Sequence, residues 1–209
     1  MSELTLRDRT RAKRRAAVVL SALRLFAEQG YESTPIAQIA DDAEVSPRTV
    51  SLYFASKRDL ALAYQADAAK RFNDTLAERQ DGDTTLDVFR RWLEDEIGTH
   101  GEVRSLHHAM VRANPTLRGA QSAESLEGRR ATVLSLARDL GRSPDDVVVA
   151  LVGGAMDGVL TALSEVRPDE ADPSEALEAA ERMLLALTDS ARAEAGDRAG
   201  RKKSSPRAK

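Results

Sequence analysis

The sequence predicts an all-α protein: an N-terminal three-helix helix-turn-helix domain followed by a C-terminal helical bundle, about nine helices in total. Three observations predict it. Apolar residues recur at the i, i+3, i+4, i+7 spacing of a buried helix face in segment after segment. Ala, Leu and Arg are abundant while aromatic residues make up only 4 % of the chain, a bias toward helix formers. Helix punctuation is regular, with Ser46-Pro47, Ser143-Pro144 and Asp172-Pro173 as starts and Gly30 and Gly141 as stops.

In chain order, residues 1–9 read as a loose basic arm. The first helix is expected over residues 10–29, with Ala16, Val19, Leu20, Leu23, Phe26 and Ala27 as its buried stripe and Gly30 ending it. Residues 34–57, TPIAQIADDAEVSPRTVSLYFASK, read as two short helices, a tight turn and the start of a further helix. Thr34 is expected to cap the first, over residues 35–42. Ser46 as N-cap and Pro47 at the first helical position open the second. Ile36, Ile39, Ala40, Ala43, Val45, Val50 and Phe54 are spaced to form a small shared core. Arg48, Thr49, Ser51 and Leu52 are left facing outward. A compact helical pair that presents Arg and hydroxyls on a short helix is the helix-turn-helix pattern.

A long helix should follow over residues 56–79, with Leu60, Tyr64, Phe72 and Leu76 on one face. Further helices are expected over residues 84–97 and 102–112, the latter broken by Asn114 and Pro115. The next ends at Leu140 and is weak enough in its middle, residues 119–130, to kink or break. From Ser143 a helix capped in the favourable way for its dipole runs to Val166. It is apolar almost all round, so it should be buried on more than one side. The final helix opens at Asp172 and Pro173. The basic, polar residues 196–209 read as a disordered tail.

Net charge is −3, which alone disfavours a nucleic-acid binder, but the charge is unevenly spread. Residues 1–60 carry a balance of +2, residues 61–195 of −10 and residues 196–209 of +5; residues 1–15 hold six basic and two acidic side chains. A basic head on an acidic body suits a protein that faces phosphates with one end. Solvated surface is the competing account of the basic N-terminus. The absence of cysteine excludes disulfides and thiolate chemistry. No run of 18 apolar residues occurs, and the charged N-terminus lacks the apolar core of a signal peptide, so a cytoplasmic location without a membrane span is expected. No GxSxG, phosphate-cradling Gly loop or paired-acid motif is present, so neither enzymatic activity nor a cofactor is expected. His107 and His108 are adjacent and cannot share a helix face, and neither they nor His100 lies at HExxH spacing; no metal site is expected.

Residues 22–64, ALRLFAEQGYESTPIAQIADDAEVSPRTVSLYFASKRDLALAY, resemble the DNA-binding region of the tetracycline-repressor-like (TetR) family of bacterial transcriptional regulators. The likeness lies in Phe26-Ala27 before Gly30-Tyr31, Thr34, Ile39-Ala40, Val45-Ser46, Tyr53-Phe54 and Ser56-Lys57 before Asp59 and Leu60. It implies an all-helical homodimer with a small-molecule pocket in its C-terminal domain and a dimer interface on its last two helices. Three domains follow: residues 1–55 as the DNA-binding domain with its basic arm, 56–195 for ligand binding and dimerisation, and 196–209 as the tail. The family often has Gly where Glu44 stands, an aromatic residue at Ser51 and a polar one at Leu52, so no operator sequence carries over.

The expected DNA-contacting set is Thr34, Gln38, Ser46, Pro47, Arg48, Thr49, Ser51, Tyr53 and Lys57. Arg48 can present its planar fork to guanine O6 and N7, or pair with Asp41 or Asp42. Thr49 can touch a thymine methyl or a phosphate, or pack. Tyr53 and Lys57 suit phosphates, and Tyr53 equally suits a half-buried core position. Thr34 can cap and still offer its backbone amide to a phosphate. Gln38 faces either DNA or solvent. Phe89, Trp92, His107 and Met110 are expected to line a pocket for a hydrophobic or acyl-bearing effector, with core packing as the alternative. Val152, Gly153, Met156, Leu160, Leu184 and Leu187 are expected at a dimer seam, where small residues permit close helix approach, against plain intramolecular packing. The function expected is a ligand-responsive transcriptional regulator, a repressor by the family's habit. As a homodimer it would bind a near-palindromic double-stranded DNA operator and be released by a small-molecule effector. The alternatives are a helical protein-interaction module without DNA binding, or an activator of the same fold.

Overall fold

Local capping signals and glycine stops set most of the helix ends. The computed structural model describes residues 5–165 and 173–204. Its helices are α1 (Leu6–Gln29), α2 (Ile36–Asp42), α3 (Pro47–Tyr53), α4 (Lys57–Ala61), α5 (Ala63–Ala77), α6 (Thr85–Thr99), α7 (Gly101–Ala113), α8 (Ala123–Leu140), α9 (Val147–Glu165) and α10 (Pro173–Ser204), with a 3-10 turn at Pro115–Leu117. Among the described residues there is no strand, and the all-α expectation holds.

Several boundaries differ from expectation, each for a local reason. Helix α1 starts at Leu6 rather than near Thr10, because Thr5 and Asp8 form a capping box. The Thr5 hydroxyl oxygen accepts from the Asp8 amide at 3.2 Å, and the Asp8 carboxylate accepts from the Thr5 amide at 3.2 Å. The described part of the expected arm is therefore helical. The buried stripe of α1 also shifts, with Val18, Val19, Ala22, Leu23, Leu25 and Phe26 inside and Ala16 exposed. The expected helix over residues 56–79 is two, α4 and α5, divided at Leu62 (φ −92°, ψ 1°). Pro144 does not open α9. Ser143 to Asp146 form a turn in which the Asp146 amide donates to the Ser143 carbonyl at 3.0 Å, and the helix proper begins at Val147. The weak stretch after Pro115 does break, with Gly119 at φ +77° and Ser122 capping α8 through the Ser125 amide at 3.1 Å. Helix α10 continues to Ser204, past the expected start of a loose tail; Val166, Asp172 and residues 205–209 lie outside the described residues.

The chain divides into two units. The first comprises the chain up to Lys70 together with Glu96–Leu126. In it, α1 lies along α7, and α2, α3 and α4 pack on α1. Leu23, Phe26, Ile39, Val50, Leu60 and Met110 are fully buried. Each such side chain contributes roughly 1.5–3 kcal/mol by leaving water. A helix pair as short as α2 and α3 has little core of its own, and α1 supplies the floor beneath it.

The second unit comprises Arg71–Asp95 and the chain from Glu127 onward. Helices α9 and α10 pack together over a core that includes Val88, Leu136, Val149, Val152, Met156 and Leu184. A buried polar cluster ties its elements. Asp139 accepts from the Thr85 amide at 2.6 Å, capping α6, and from the Arg79 guanidinium at 3.0 Å, while the Ser135 hydroxyl accepts from Arg79 at 2.9 Å. Every polar group in the cluster has a partner, which makes burying it tolerable.

Candidate nucleic-acid interface

The turn between α2 and α3 sets the angle of the outward helix. Its residue Glu44 sits at φ +54°, the left-handed region that Gly adopts without cost. The Val45 amide donates to the Ala40 carbonyl at 2.9 Å and the Glu44 amide to the Asp41 carbonyl at 3.1 Å, closing α2. Ser46 then caps α3 as expected, accepting from the Thr49 amide at 3.1 Å, and Pro47 takes the first helical position. The Thr49 hydroxyl lies 2.8 Å from that of Ser46, so Thr49 helps to hold the cap.

Only Val50 of α3 is fully turned inward. Ser46, Pro47, Arg48, Ser51 and Leu52 are exposed, Leu52 to 68 %. The rival account of Arg48 as one half of an ion pair with Asp42 loses its partner, because Asp42 is taken by Arg24. A hydrogen bond from Ser21, and to a lesser degree the Arg24 contact, holds the Asp42 carboxyl below its ordinary range. Arg48 makes no ion pair among the described residues. The Ser51 hydroxyl donates back to the Pro47 carbonyl at 3.2 Å.

The flanking residues are more constrained than expected. Thr34 is completely buried and does not cap α2, whose N-cap is Pro35. Its hydroxyl donates instead to the Gly30 carbonyl at 2.8 Å, tying the end of α1 to the start of α2. Gln38 donates to the Gln29 side chain at 3.1 Å. Tyr53 is half-buried, edge-on to Phe54 with ring centres 6.4 Å apart, and the Arg11 guanidinium stands 6.0 Å from its ring centre. The Lys57 ammonium donates to the Glu32 carbonyl at 3.2 Å and lies 4.6 Å from the Tyr31 ring centre.

Two residues of this region have positions that the sequence does not show. Arg11 belongs to the basic stretch of residues 1–15, and only the fold sets it beside Tyr53. Asn114 looked like a helix breaker, yet its side chain is buried and donates to the Phe26 carbonyl at 2.8 Å and the Met110 carbonyl at 2.7 Å. Only the tertiary fold brings Asn114 to the end of α1.

The four expected pocket residues fall two in each unit. Met110 is fully buried core of the first. His107, in the same unit, packs against Tyr64 with ring centres 4.8 Å apart, its Nδ1 is buried without a hydrogen-bond partner, and burial lowers its pKa to about 4. The Tyr64 hydroxyl donates to the buried Glu96 carboxylate at 2.8 Å. In the second unit, Phe89 and Trp92 form an aromatic cluster with Phe72, at centre separations of 5.3 to 6.0 Å. Trp92 also borders a cleft of about 400 Å³ lined by Arg71, Asp74, Thr75, Arg91 and Asp95, and its Nε1–H has no partner. Among the described residues no group of three His, Asp or Glu side chains could hold a metal ion.

The expected seam residues divide by burial. Val152, Met156 and Leu184 are buried within the second unit, Gly153 faces Leu136 (3.7 Å from an added Cβ), Leu160 is half-buried, and Leu187 is exposed. The outward apolar face of α9 lies one step round the helix, at Val147, Leu151, Gly154 and Gly158.

An exposed recognition helix on a Ser-capped, two-helix turn, set in an all-α chain, defines a helix-turn-helix protein. The family model described as "Bacterial regulatory proteins, tetR family" matches residues 19–64. Over these residues the chain is similar to the DNA-binding region of that family. The HTH-type transcriptional regulator TcmR of Streptomyces glaucescens is 33 % identical to it over 141 residues, which are 62 % of this chain and 62 % of TcmR. The alignment thus spans about three fifths of that relative's length. Among solved structures, NalD, the secondary repressor of the MexAB-OprM multidrug efflux pump in Pseudomonas aeruginosa, shares the fold with a TM-score of 0.58 at 17 % identity, over 84 % of this chain and 95 % of that one. The multidrug binding protein EbrR, complexed with malachite green, has a TM-score of 0.56 at 20 % identity, over 83 % and 96 % of the two chains. No helix among the described residues is long and apolar enough to cross a membrane.

Proposed function

We propose that the protein regulates transcription in the cytoplasm by binding a near-palindromic double-stranded DNA operator as a homodimer, repressing from it, and leaving it when a small-molecule effector binds. The observation that carries this reading is Arg48, exposed on the first turn of α3 and without an ion pair among the described residues. Its fork suits guanine O6 and N7 in the major groove. Exposed Ser51 and Leu52 beside it offer a hydroxyl and an apolar contact of the kind a thymine methyl accepts. Thr49, Tyr53, Lys57 and the backbone near Thr34 would hold phosphates. The division of labour proposed is residues 1–55 for DNA, 56–195 for effector and dimer, and 196–209 as a basic appendage.

The dimer is supported by the outer face of the second unit. Val147, Leu151, Gly154 and Gly158 recur at i, i+4, i+7 and i+11 on α9, and Met183 and Leu187 are exposed on α10. A Cβ added at Gly154 or Gly158 meets nothing within 4 Å in the protomer, so the protomer's own packing gives no reason for glycine there. Close approach of a partner helix does. Such a dimer would set its recognition helices one DNA turn apart, roughly 34–36 Å. For the effector, the Phe72–Phe89–Trp92 cluster with its unpartnered indole N–H suits a flat, largely apolar molecule that carries a hydrogen-bond acceptor. Its binding weakens DNA binding only by as much as it prefers the DNA-free state.

The test is a gel shift on the DNA upstream of the protein's own coding sequence, across a salt series and with aromatic test compounds. A salt-sensitive, sequence-preferring complex that Arg48→Ala weakens by about 1–3 kcal/mol, with relaxed preference at one position, is the expected result. The 68 % exposure of Leu52 together with the net charge of −3 favours a second reading, a protein-docking module that has lost DNA. Under it Arg48→Ala leaves activity unchanged and no salt-dependent complex forms.

A further inference from the structure

We infer that the N-terminal half of α1 is a second DNA-contacting surface, a rigid helical stripe of Arg7, Arg11 and Arg14 that grips the phosphate backbone beside the bases read by α3. It extends the proposed DNA-binding reading and rests on it.

Spacing and rigidity come first. Arg7, Arg11 and Arg14 follow i, i+4, i+7 and therefore share one face of α1. The Thr5–Asp8 capping box holds the first turn, so the stripe belongs to a fixed helix. The same box occupies Asp8, the one acidic residue between Thr5 and Arg15. All three arginines are exposed, and none makes an ion pair among the described residues.

Their placement relative to α3 comes next. The Arg11 guanidinium stands 6.0 Å from the ring centre of Tyr53, the last residue of α3. One turn further along the same face, Arg15 is already committed, with a bidentate pair to Asp67 at 2.6 and 3.0 Å and its guanidinium 5.1 Å from the Phe54 ring centre. Arg15 thus anchors the face, and the stripe runs outward from the end of the recognition helix. From Arg7 to Arg14 it rises about 10 Å, comparable to about three nucleotides along one DNA strand. Cations in the first turns of a helix oppose its dipole, so helix stability gives no reason for them. A polyanion laid along this face does. Phosphate contacts of this kind add affinity and register without reading sequence.

The experiment compares the full chain with Arg7→Ala/Arg11→Ala/Arg14→Ala, with the corresponding triple Lys variant and with Arg48→Ala. Binding to a mixed-sequence DNA duplex is measured by fluorescence anisotropy over a KCl series, and each protein is also used to select sequences from a random DNA pool. The triple Ala variant should fold normally, since the changed side chains are exposed and Ala favours helix; circular dichroism checks this. Expected is a slope of log K against log [KCl] shallower by about 2–3, near 0.9 per lost phosphate contact, with the selected sequence unchanged. The triple Lys variant should keep the wild-type slope, and Arg48→Ala should relax sequence preference at one position. A triple Ala variant with the wild-type slope overturns the inference while leaving DNA binding by α3 intact. So does a changed selected sequence, or a Lys variant that fails as the Ala variant does. A wild-type chain without salt-dependent duplex binding overturns both readings together.

Discussion

The side chain of Asn114 accepts the backbone amide of Tyr31 at 2.5 Å, across 83 residues of sequence. Its amide nitrogen donates at the same time to the Phe26 and Met110 carbonyls, so one carboxamide satisfies the end of α1, the chain leaving it and the end of α7. Asn114→Ala should leave these groups without partners in a buried place and cost roughly 2–4 kcal/mol. Urea unfolding will measure it. Because α1 supports α2 and α3, DNA affinity should fall as well, at protein concentrations and temperatures where the variant is still folded. Asn114→Asp, which keeps the acceptor and loses both donors, should be no better than Ala.

Glu44 stands at φ +54° in the turn that aims α3. Its side chain is exposed, so its removal sacrifices little. Glu44→Gly should raise stability by about 1 kcal/mol, seen as a higher melting temperature, whereas a β-branched Glu44→Val should lower it. Equal melting temperatures for Gly and Val would show that the turn carries no strain.

Gly154 and Gly158 discriminate packing within the protomer from packing between protomers. Ala at either position should fit the protomer and add about 0.8–1 kcal/mol of helix propensity. Gly154→Trp should leave the protomer folded yet shift the proposed dimer toward monomer in light scattering coupled to size exclusion. A Trp variant that remains dimeric would move the seam away from this face of α9.

Burial holds the imidazoles of His107 and His108 below the ordinary histidine value, at about 4 and about 3, and for His108 the neighbouring His107, Arg104 and Arg112 add to it. Both are therefore neutral in the folded chain near pH 7, and each takes up a proton below about pH 6.5 once unfolded. The unfolded state then binds more protons. Stability is full above about pH 6.5 and falls as pH drops toward 4. The loss attributable to His107 is about 3 kcal/mol at most. Replacing it with Phe, which can keep the stacking on Tyr64, should flatten the acid side of the stability profile measured by denaturant titration at successive pH values.

Much of the first unit is legible in the sequence. Ser46-Pro47, the Gly30 stop and the apolar spacing of Ile39, Val50 and Phe54 are local signals, and each acts within one or two helical turns. Arg48 was legible for the same reason: a cation on the outward face of a short capped helix is visible from periodicity alone. Thr34 departs from its expected capping role because Pro35 stands at the N-cap position while the Thr34 hydroxyl turns inward to the Gly30 carbonyl. The start of α1 is hard to see in the sequence because Asp8, and not Glu or Gln, completes its capping box.

What the sequence determined by itself is the helical class, the helix-turn-helix pair and the outward residues of α3, since backbone capping and amphipathic spacing are short-range effects. What only the tertiary structure decided is which of two adjacent helix faces is buried and which distant groups meet. It placed Val152 and Met156 inward and Leu151, Gly154 and Gly158 outward, a choice that a helix apolar all round cannot express in its sequence. It also placed Asn114 on Tyr31 and Arg11 beside Tyr53. Those pairings arise from helix packing across tens of residues, where no local propensity reaches.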